Sequence, residues 1–214
     1  MSSRTGATRY PITHWSYSSL IAFLRNPLAW HKRYVEKVYD TPATPASLIG
    51  RAGHVALQHF YSGIGKEAAT ALGLEYLRTI ADFEVDFGKS ISLKARALKR
   101  VAMEREYLQA ISFYLARPPR YRVLGVEVVG ITKVEGLLLP LKAISDLVVE
   151  SRADKKEIDI VDHKFVDSFS TLGPDKPLFI IQGIFNYYTV LQRFKRPVRH
   201  FILQECKKSL INIL

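Results

Sequence analysis

The sequence lacks several features that would assign it to common classes of protein. It has one cysteine, Cys206, in 214 residues, which excludes an intramolecular disulfide framework and an iron–sulfur site held by four cysteines of this chain. No apolar run approaches the roughly 20 residues that span a bilayer. The first 13 residues are polar and lack the apolar segment of a signal peptide. We therefore expect a globular cytoplasmic protein with no membrane segment and no iron–sulfur cluster.

Acidic residues are also few relative to basic ones. The chain has 31 lysines and arginines against 20 aspartates and glutamates, which gives a formal net charge of +11. A polymer of phosphates rewards dispersed positive charge, because binding releases counterions. Nucleic acid is therefore the leading macromolecular partner. The alternative is a basic surface that faces only solvent.

The order of predicted elements favours a mixed α/β protein. Periodicity and helix-stop signals predict helices over residues 16–38 (divided at Pro27), 46–61, 66–87, 90–116 and 176–194. Residues rich in β-branched and aliphatic side chains predict strands over 121–131, 133–139, 141–149, 157–163 and 199–205. Helices on both sides of a group of strands favour a mixed sheet with helices packed on it. We expect a flexible segment over residues 1–13 and a single domain over 14–214.

An aspartate and a lysine stand two residues apart at the end of an apolar strand. Asp162 and Lys164 point to one face of that strand, because side-chain direction repeats every second residue. Asp146 lies sixteen residues earlier in another apolar strand. Carboxylates are the ligands that Mg²⁺ and Mn²⁺ prefer, and a nearby lysine can contact a phosphate. The pattern predicts a divalent-metal site for phosphodiester hydrolysis; the alternative is that each acid lies in a surface turn or salt bridge.

Two further residues could reach this site. Glu127 interrupts the apolar run 123–129, where it is either a third carboxylate of the metal site or part of a salt bridge at its rim. His54 follows Gly50 and Gly53 on a predicted helix. Glycines permit a close approach of the backbone near the start of that helix. Alone, a helical histidine is more often a packed or surface residue than a metal ligand.

The predicted helix after the strands carries a polar stripe. Its members are spaced by three or four residues: Gln182, Asn186, Thr189 and Arg193. If the stripe faces a cleft, it can contact substrate phosphates or order Lys164. If it faces solvent, it has no such role.

Together these residues resemble the PD-(D/E)XK nuclease superfamily, specifically its RecB-like branch. The resemblance runs over about residues 15–205, and its landmarks occur in the order of the family. They are an opening helix at 16–27, a glycine–histidine motif at 50–54, the strand acids Glu127 and Asp146, the D-x-K strand at 160–164, and Gln182. Asn26 stands where iron–sulfur members commonly carry a cysteine.

The resemblance implies a restriction-endonuclease-like αβββαβ core, here residues 89–205, with residues 14–88 as a helical elaboration. It implies that Mg²⁺ or Mn²⁺ is held by His54, Asp146, Asp162 and the backbone carbonyl of His163. The implied catalytic residues are Asp146, Asp162, Lys164, Glu127 and Gln182. Asn186 stands where the family has an aromatic residue, with two tyrosines next to it, so the expected substrate-binding set is Gln182, Asn186, Tyr187, Tyr188 and Arg193.

We therefore expect a metal-dependent DNA nuclease, acting as an exonuclease or on single strands and ends. DNA repair, recombination or phage-type DNA metabolism would be its setting, with a repair or recombination protein as a partner. The alternative is a catalytically weak or inactive nucleic-acid-binding module that retains the fold.

Overall fold

The computed structural model describes residues 10–88, 92–167 and 176–208, with the backbone alone at 176 and 177. The helices in these ranges are α1 (Tyr17–Arg25), α2 (Pro27–Trp30), α3 (Pro45–Tyr61), α4 (Lys66–Thr79), α5 (Leu93–Ala116) and α6 (Lys176–Phe194). A π-helical turn (His31–Val35) follows α2, and a 3₁₀ turn (Asp82–Glu84) follows α4. The strands are β1 (Trp15–Ser16), β2 (Val123–Thr132), β3 (Leu141–Glu150), β4 (Ile158–Val166) and β5 (Val198–Lys207).

The strands form one mixed sheet. β3 is antiparallel to β2 and to β4, whereas β4 is parallel to β5. Because parallel neighbours need a crossover, α6 connects these last two strands across a face of the sheet. The succession α5, β2, β3, β4, α6, β5 confirms the predicted α/β class with an αβββαβ core.

The two central strands separate halfway along their length. The pairing of β3 with β4 ends at Leu147 and Val161. Asp146 and Asp162 are the next residues on their strands, so they stand opposite each other where the strands part. Farther along β3, β1 pairs in parallel with residues 141–142. We call this place the fork; it brings two carboxylates together.

Helices cover both faces of the sheet. On one face, α3, α4 and α5 share a core that includes Leu48, Leu77, Tyr107, Ile111 and, from β5, Cys206. On the other face, α6 packs on β2, β3 and β4 through Val128, Val148, Ile158, Ile160 and Val190. Full burial of an aliphatic side chain of this size contributes about 1.5–3 kcal/mol. These two cores hold α3 and α6 on opposite sides of the fork.

Local signals set most helix boundaries. Ser16 caps α1 in a reciprocal pair with Ser19, and Thr44 caps α3. Asn26 ends α1 and caps α2, whose first residue is Pro27, so the predicted division at this proline is confirmed. No helix in the part of the chain that the structure describes is long and apolar enough to cross a membrane.

Two predicted elements are wrong. The helix predicted over 66–87 ends at Thr79, because Arg100 of α5 donates to the backbone carbonyls of Leu77 and Ile80 and the chain turns away. The strand predicted over 133–139 is a turn between β2 and β3, in which Gly136 has a left-handed φ of 80°. Residues 1–9 of the predicted flexible segment lie outside the described residues.

Candidate metal centre

The carboxylate of Asp146, at the fork, is contacted by groups from two neighbouring elements. The backbone N–H of His163 on β4 donates to Asp146 Oδ2 at 2.7 Å. His54 Nδ1 on α3 lies 3.3 Å from the same oxygen. Gly53 makes this approach of α3 possible, since a Cβ there would lie 2.0 Å from the ring of Phe165 on β4. One carboxylate is thus held by a helix and by the adjacent strand.

Glu127 joins this carboxylate from β2. The register of β2 against β3 sets Glu127 opposite Asp146, and the residue has a left-handed φ of 48°. Such a backbone is uncommon away from glycine and often marks a functional constraint. One potential ligand atom from each of His54, Glu127 and Asp146 lies within 4.8 Å of the other two. Two carboxylate oxygens and an imidazole nitrogen form a donor set that suits a divalent ion.

The charges of this group favour a cation. Burial raises the pKa of Glu127, and the negative charge of Asp146 raises it further. Burial alone would raise the pKa of Asp146, but hydrogen bonds from His163 and His54 lower it below its usual range. Asp146 is therefore ionised, and its negative charge disfavours the ionised form of the neighbouring Glu127. A divalent ion would relieve this repulsion.

Asp162 lies outside the group of three and forms a second cluster beside it. Lys164 Nζ is 2.6 Å from Asp162 Oδ2, in an ion pair. Gln182 Nε2 on α6 donates to Asp162 Oδ1 at 2.7 Å. Burial raises the pKa of Asp162, against the opposing attraction of Lys164. Gln182 Oε1 is buried and accepts no hydrogen bond within the described residues, so the site contains an unused acceptor of the kind that ions and ordered water satisfy.

The side chains of His163, Tyr114 and Tyr61 form a chain of polar contacts that sequence reasoning did not identify. The imidazole of His163 is 1% exposed, and its Nε2 lies 3.0 Å from the hydroxyl of Tyr114 on α5. That hydroxyl is 2.6 Å from the hydroxyl of Tyr61 on α3. These contacts join residues 49 and 53 positions apart, and no local pattern predicts such pairs.

Part of the polar stripe of α6 faces the sheet: Asn186 and Thr189 are buried, whereas Arg193 is exposed. On the same helix Ile180 and Ile184 face solvent. Asn186 is 3% exposed; it accepts from Ser145 Oγ and donates to the backbone carbonyl of Gln182. In this structure Asn186 therefore holds the helix and presents no group to a substrate, contrary to the role predicted for it. Tyr187 and Tyr188 are partly exposed and contact each other edge to face. Arg193, the last predicted member, donates to the backbone carbonyl of residue 129.

Comparison with known proteins agrees with this geometry. A family model described as the PD-(D/E)XK nuclease superfamily matches residues 14–175, which is more than half of the chain. No curated protein and no solved structure gives a significant match. The matched range contains the fork, His54, Glu127, Asp146, and the Asp162–Lys164 pair. The chain belongs to the PD-(D/E)XK nuclease superfamily.

Proposed function

We propose that the protein is a Mg²⁺- or Mn²⁺-dependent DNA nuclease of the RecB-like branch. The observation that carries this proposal is the convergence of His54, Glu127 and Asp146 at the fork, directly beside the Asp162–Lys164 pair. A module that only bound DNA would have no need for clustered carboxylates, which repel phosphate in the absence of a cation.

The ligand assignment follows the two clusters. His54, Asp146 and Glu127 would hold the ion, with Asp162 and the backbone carbonyl of His163 available from β4. When bound, the ion supplies a Lewis acid for the phosphate and activates water. The donor set fits, since hard oxygen ligands predominate.

The remaining residues have roles set by their contacts. Lys164 is partly exposed beside Asp162, so its Nζ can donate to a phosphate oxygen and stabilise the negative charge that develops there. Gln182 holds the Asp162 carboxylate in place and is a positioning residue. Tyr187, Tyr188 and Arg193 lie on exposed parts of α6, where they would contact the DNA strand.

The resemblance to RecB-like enzymes supports cleavage at ends or of single strands more than sequence-specific cutting within a duplex. We propose DNA repair, recombination or phage-type DNA metabolism as the setting, together with a partner protein from that process. The net charge of +11 supports nucleic acid as the substrate.

The test is cleavage of labelled single-stranded, blunt duplex and end-blocked DNA with Mg²⁺, with Mn²⁺ and with chelator. We expect metal-dependent cleavage, and a loss of about 100-fold or more in Asp146→Asn and Lys164→Met. Glu67→Gln is the matched control, because this acid is exposed in the first turn of α4. Full activity in Asp146→Asn would contradict the proposal. Salt-sensitive DNA binding without cleavage of any substrate would instead favour a binding module.

A further inference from the structure

A cleft of about 560 Å³ lies in the helical part of the chain. Its walls come from the turn after α2, the first half of α3, the end of α4 and the 3₁₀ turn. The side chains that matter here are Arg33, Tyr39, Arg51, Tyr76 and Phe83. Its volume is in the range of small-ligand sites, about 300–1,000 Å³, which suits a nucleotide or two and not a duplex.

Helix α3 contributes residues both to the cleft and to the metal site. Arg51 lines the cleft, and His54 lies three residues farther along the same helix. Side chains three apart on a helix are neighbours, with about 5–6 Å between their Cβ atoms. A strand whose phosphate reached the metal site would therefore place an adjacent nucleotide at the cleft.

The cleft exposes aromatic rings beside arginines. Phe83 on the 3₁₀ turn is 83% exposed, and Tyr39 is 65% exposed. Arg33 lies over the ring of Tyr39, with its guanidinium carbon 5.5 Å from the ring centroid. Single-stranded nucleic acid binds to surfaces of this composition, because bases stack on aromatic rings and arginines contact the phosphates.

The carboxylates of the cleft are already engaged. Asp40 accepts from Lys32 Nζ at 2.6 Å. Glu84 accepts from the backbone N–H of Ala81 at 3.0 Å. No ion pair of Arg51 occurs among the described residues, so its charge is available for a phosphate.

We propose that this cleft binds the unpaired bases and phosphates of single-stranded DNA next to the phosphate that is cleaved. The proposal rests on the proposed nuclease function for the place of cleavage, but binding itself is measurable without it. Unpaired bases are required, because in a duplex the base faces are stacked on one another and cannot meet Phe83 or Tyr39.

The experiment is fluorescence anisotropy of a labelled 20-nucleotide oligothymidylate in EDTA, where metal-dependent cleavage does not occur. We expect Phe83→Ala and Arg51→Ala each to weaken binding about fivefold or more. The matched controls are Phe113→Ala and Arg105→Ala on α5, two exposed residues that line neither the cleft nor the metal site. Circular dichroism verifies that all four variants fold.

Two further measurements separate stacking from charge. On an abasic oligonucleotide of equal length, Phe83→Ala should bind as tightly as the unsubstituted protein. The slope of log K against log salt should fall by about 0.7 in Arg51→Ala and stay unchanged in Phe83→Ala. In cleavage assays both variants should raise KM for single strands while kcat is retained.

The outcomes distinguish this proposal from the proposed function. If the protein cleaves DNA but the cleft variants bind like their controls, the cleft proposal is overturned and the nuclease proposal stands. If binding depends on Phe83 and Arg51 but no metal supports cleavage, the cleft proposal stands and the nuclease proposal fails. The cleft proposal is also overturned if the protein binds blunt duplex more tightly than oligothymidylate and if Phe83→Ala does not change the affinity.

Discussion

At the scale of single residues, the main finding concerns which carboxylates share the fork. The D-x-K pattern and the family resemblance put Asp162 among the metal ligands. For Glu127, a catalytic residue by resemblance, the sequence left two alternatives: a third carboxylate of the metal site or part of a salt bridge at its rim. In the structure, Glu127 lies with His54 and Asp146. Asp162 instead accepts a hydrogen bond from Gln182 and forms an ion pair with Lys164. The register of β2 against β3 is the physical reason, because it sets Glu127 opposite Asp146.

A matched pair of glutamates tests this assignment. We expect Glu127→Gln to weaken Mn²⁺ binding about tenfold or more, because a charged oxygen ligand is lost. Glu135→Gln, in the exposed turn before Gly136, should leave it unchanged.

Because the pKa of Glu127 is raised by burial, a proton competes with the metal. The Mn²⁺ affinity of the unsubstituted protein should therefore rise as pH increases through that pKa. Isothermal titration calorimetry measures both effects, and equal affinities in the two variants would contradict the assignment.

At the scale of elements, the distance between α3 and β4 decides whether His54 reaches Asp146. Gly53 faces the ring of Phe165, and Gly50, one turn earlier on α3, has no atom within 4 Å of a built Cβ. Two glycines in one motif therefore have different physical roles. Gly53 is required by a close approach, whereas Gly50 is not constrained in this way.

The two glycines give a direct comparison. We expect Gly50→Ala to stabilise the protein by at most about 1 kcal/mol, since alanine favours a helix over glycine. Gly53→Ala should destabilise it by about 1–3 kcal/mol, because the new methyl group displaces Phe165 from its packed position. It should also weaken Mn²⁺ binding, since His54 moves with α3. Urea denaturation measures both stabilities, and a stabilised Gly53→Ala would show that Phe165 moves aside without loss.

At the scale of the whole molecule, the proposed metal ligands come from three separate elements. His54 lies on α3, Glu127 on β2 and Asp146 on β3. An ion held by all three binds the folded chain and not the unfolded one, so binding adds directly to stability. Two carboxylates that repel each other without a cation increase this dependence.

Thermal unfolding with and without metal tests this coupling. At a free Mn²⁺ concentration ten times the Kd, the free energy of unfolding should rise by about 1.4 kcal/mol. For a chain of this size the corresponding increase in Tm is about 3–6 °C. Chelation by EDTA should reverse it, and Asp146→Asn should show no increase. An equal increase in Asp146→Asn would place the bound ion elsewhere.

The amino-acid sequence alone determined the order of elements and most of the chemistry of the site. Hydrophobic periodicity, caps and breaks are local properties, so they located α3, α5, α6 and the core strands. Side-chain chemistry and the family resemblance identified the candidate site residues, which are His54, Glu127, Asp146, Asp162, Lys164 and Gln182. Local patterns failed where residues far away in the chain determine the secondary structure. Arg100 ends α4 from another helix, and residues 133–139 have strand-like composition but form a turn.

Only the tertiary structure decided which candidates meet. The fork exists because β3 and β4 stop pairing after Leu147 and Val161. The contacts of His163 with Tyr114, and of Tyr114 with Tyr61, depend on packing between segments far apart in the chain. The same holds for the burial of Asn186 and Thr189 on α6. Side-chain direction along one element is encoded locally, whereas the register and spacing between elements result from the packing of the whole core.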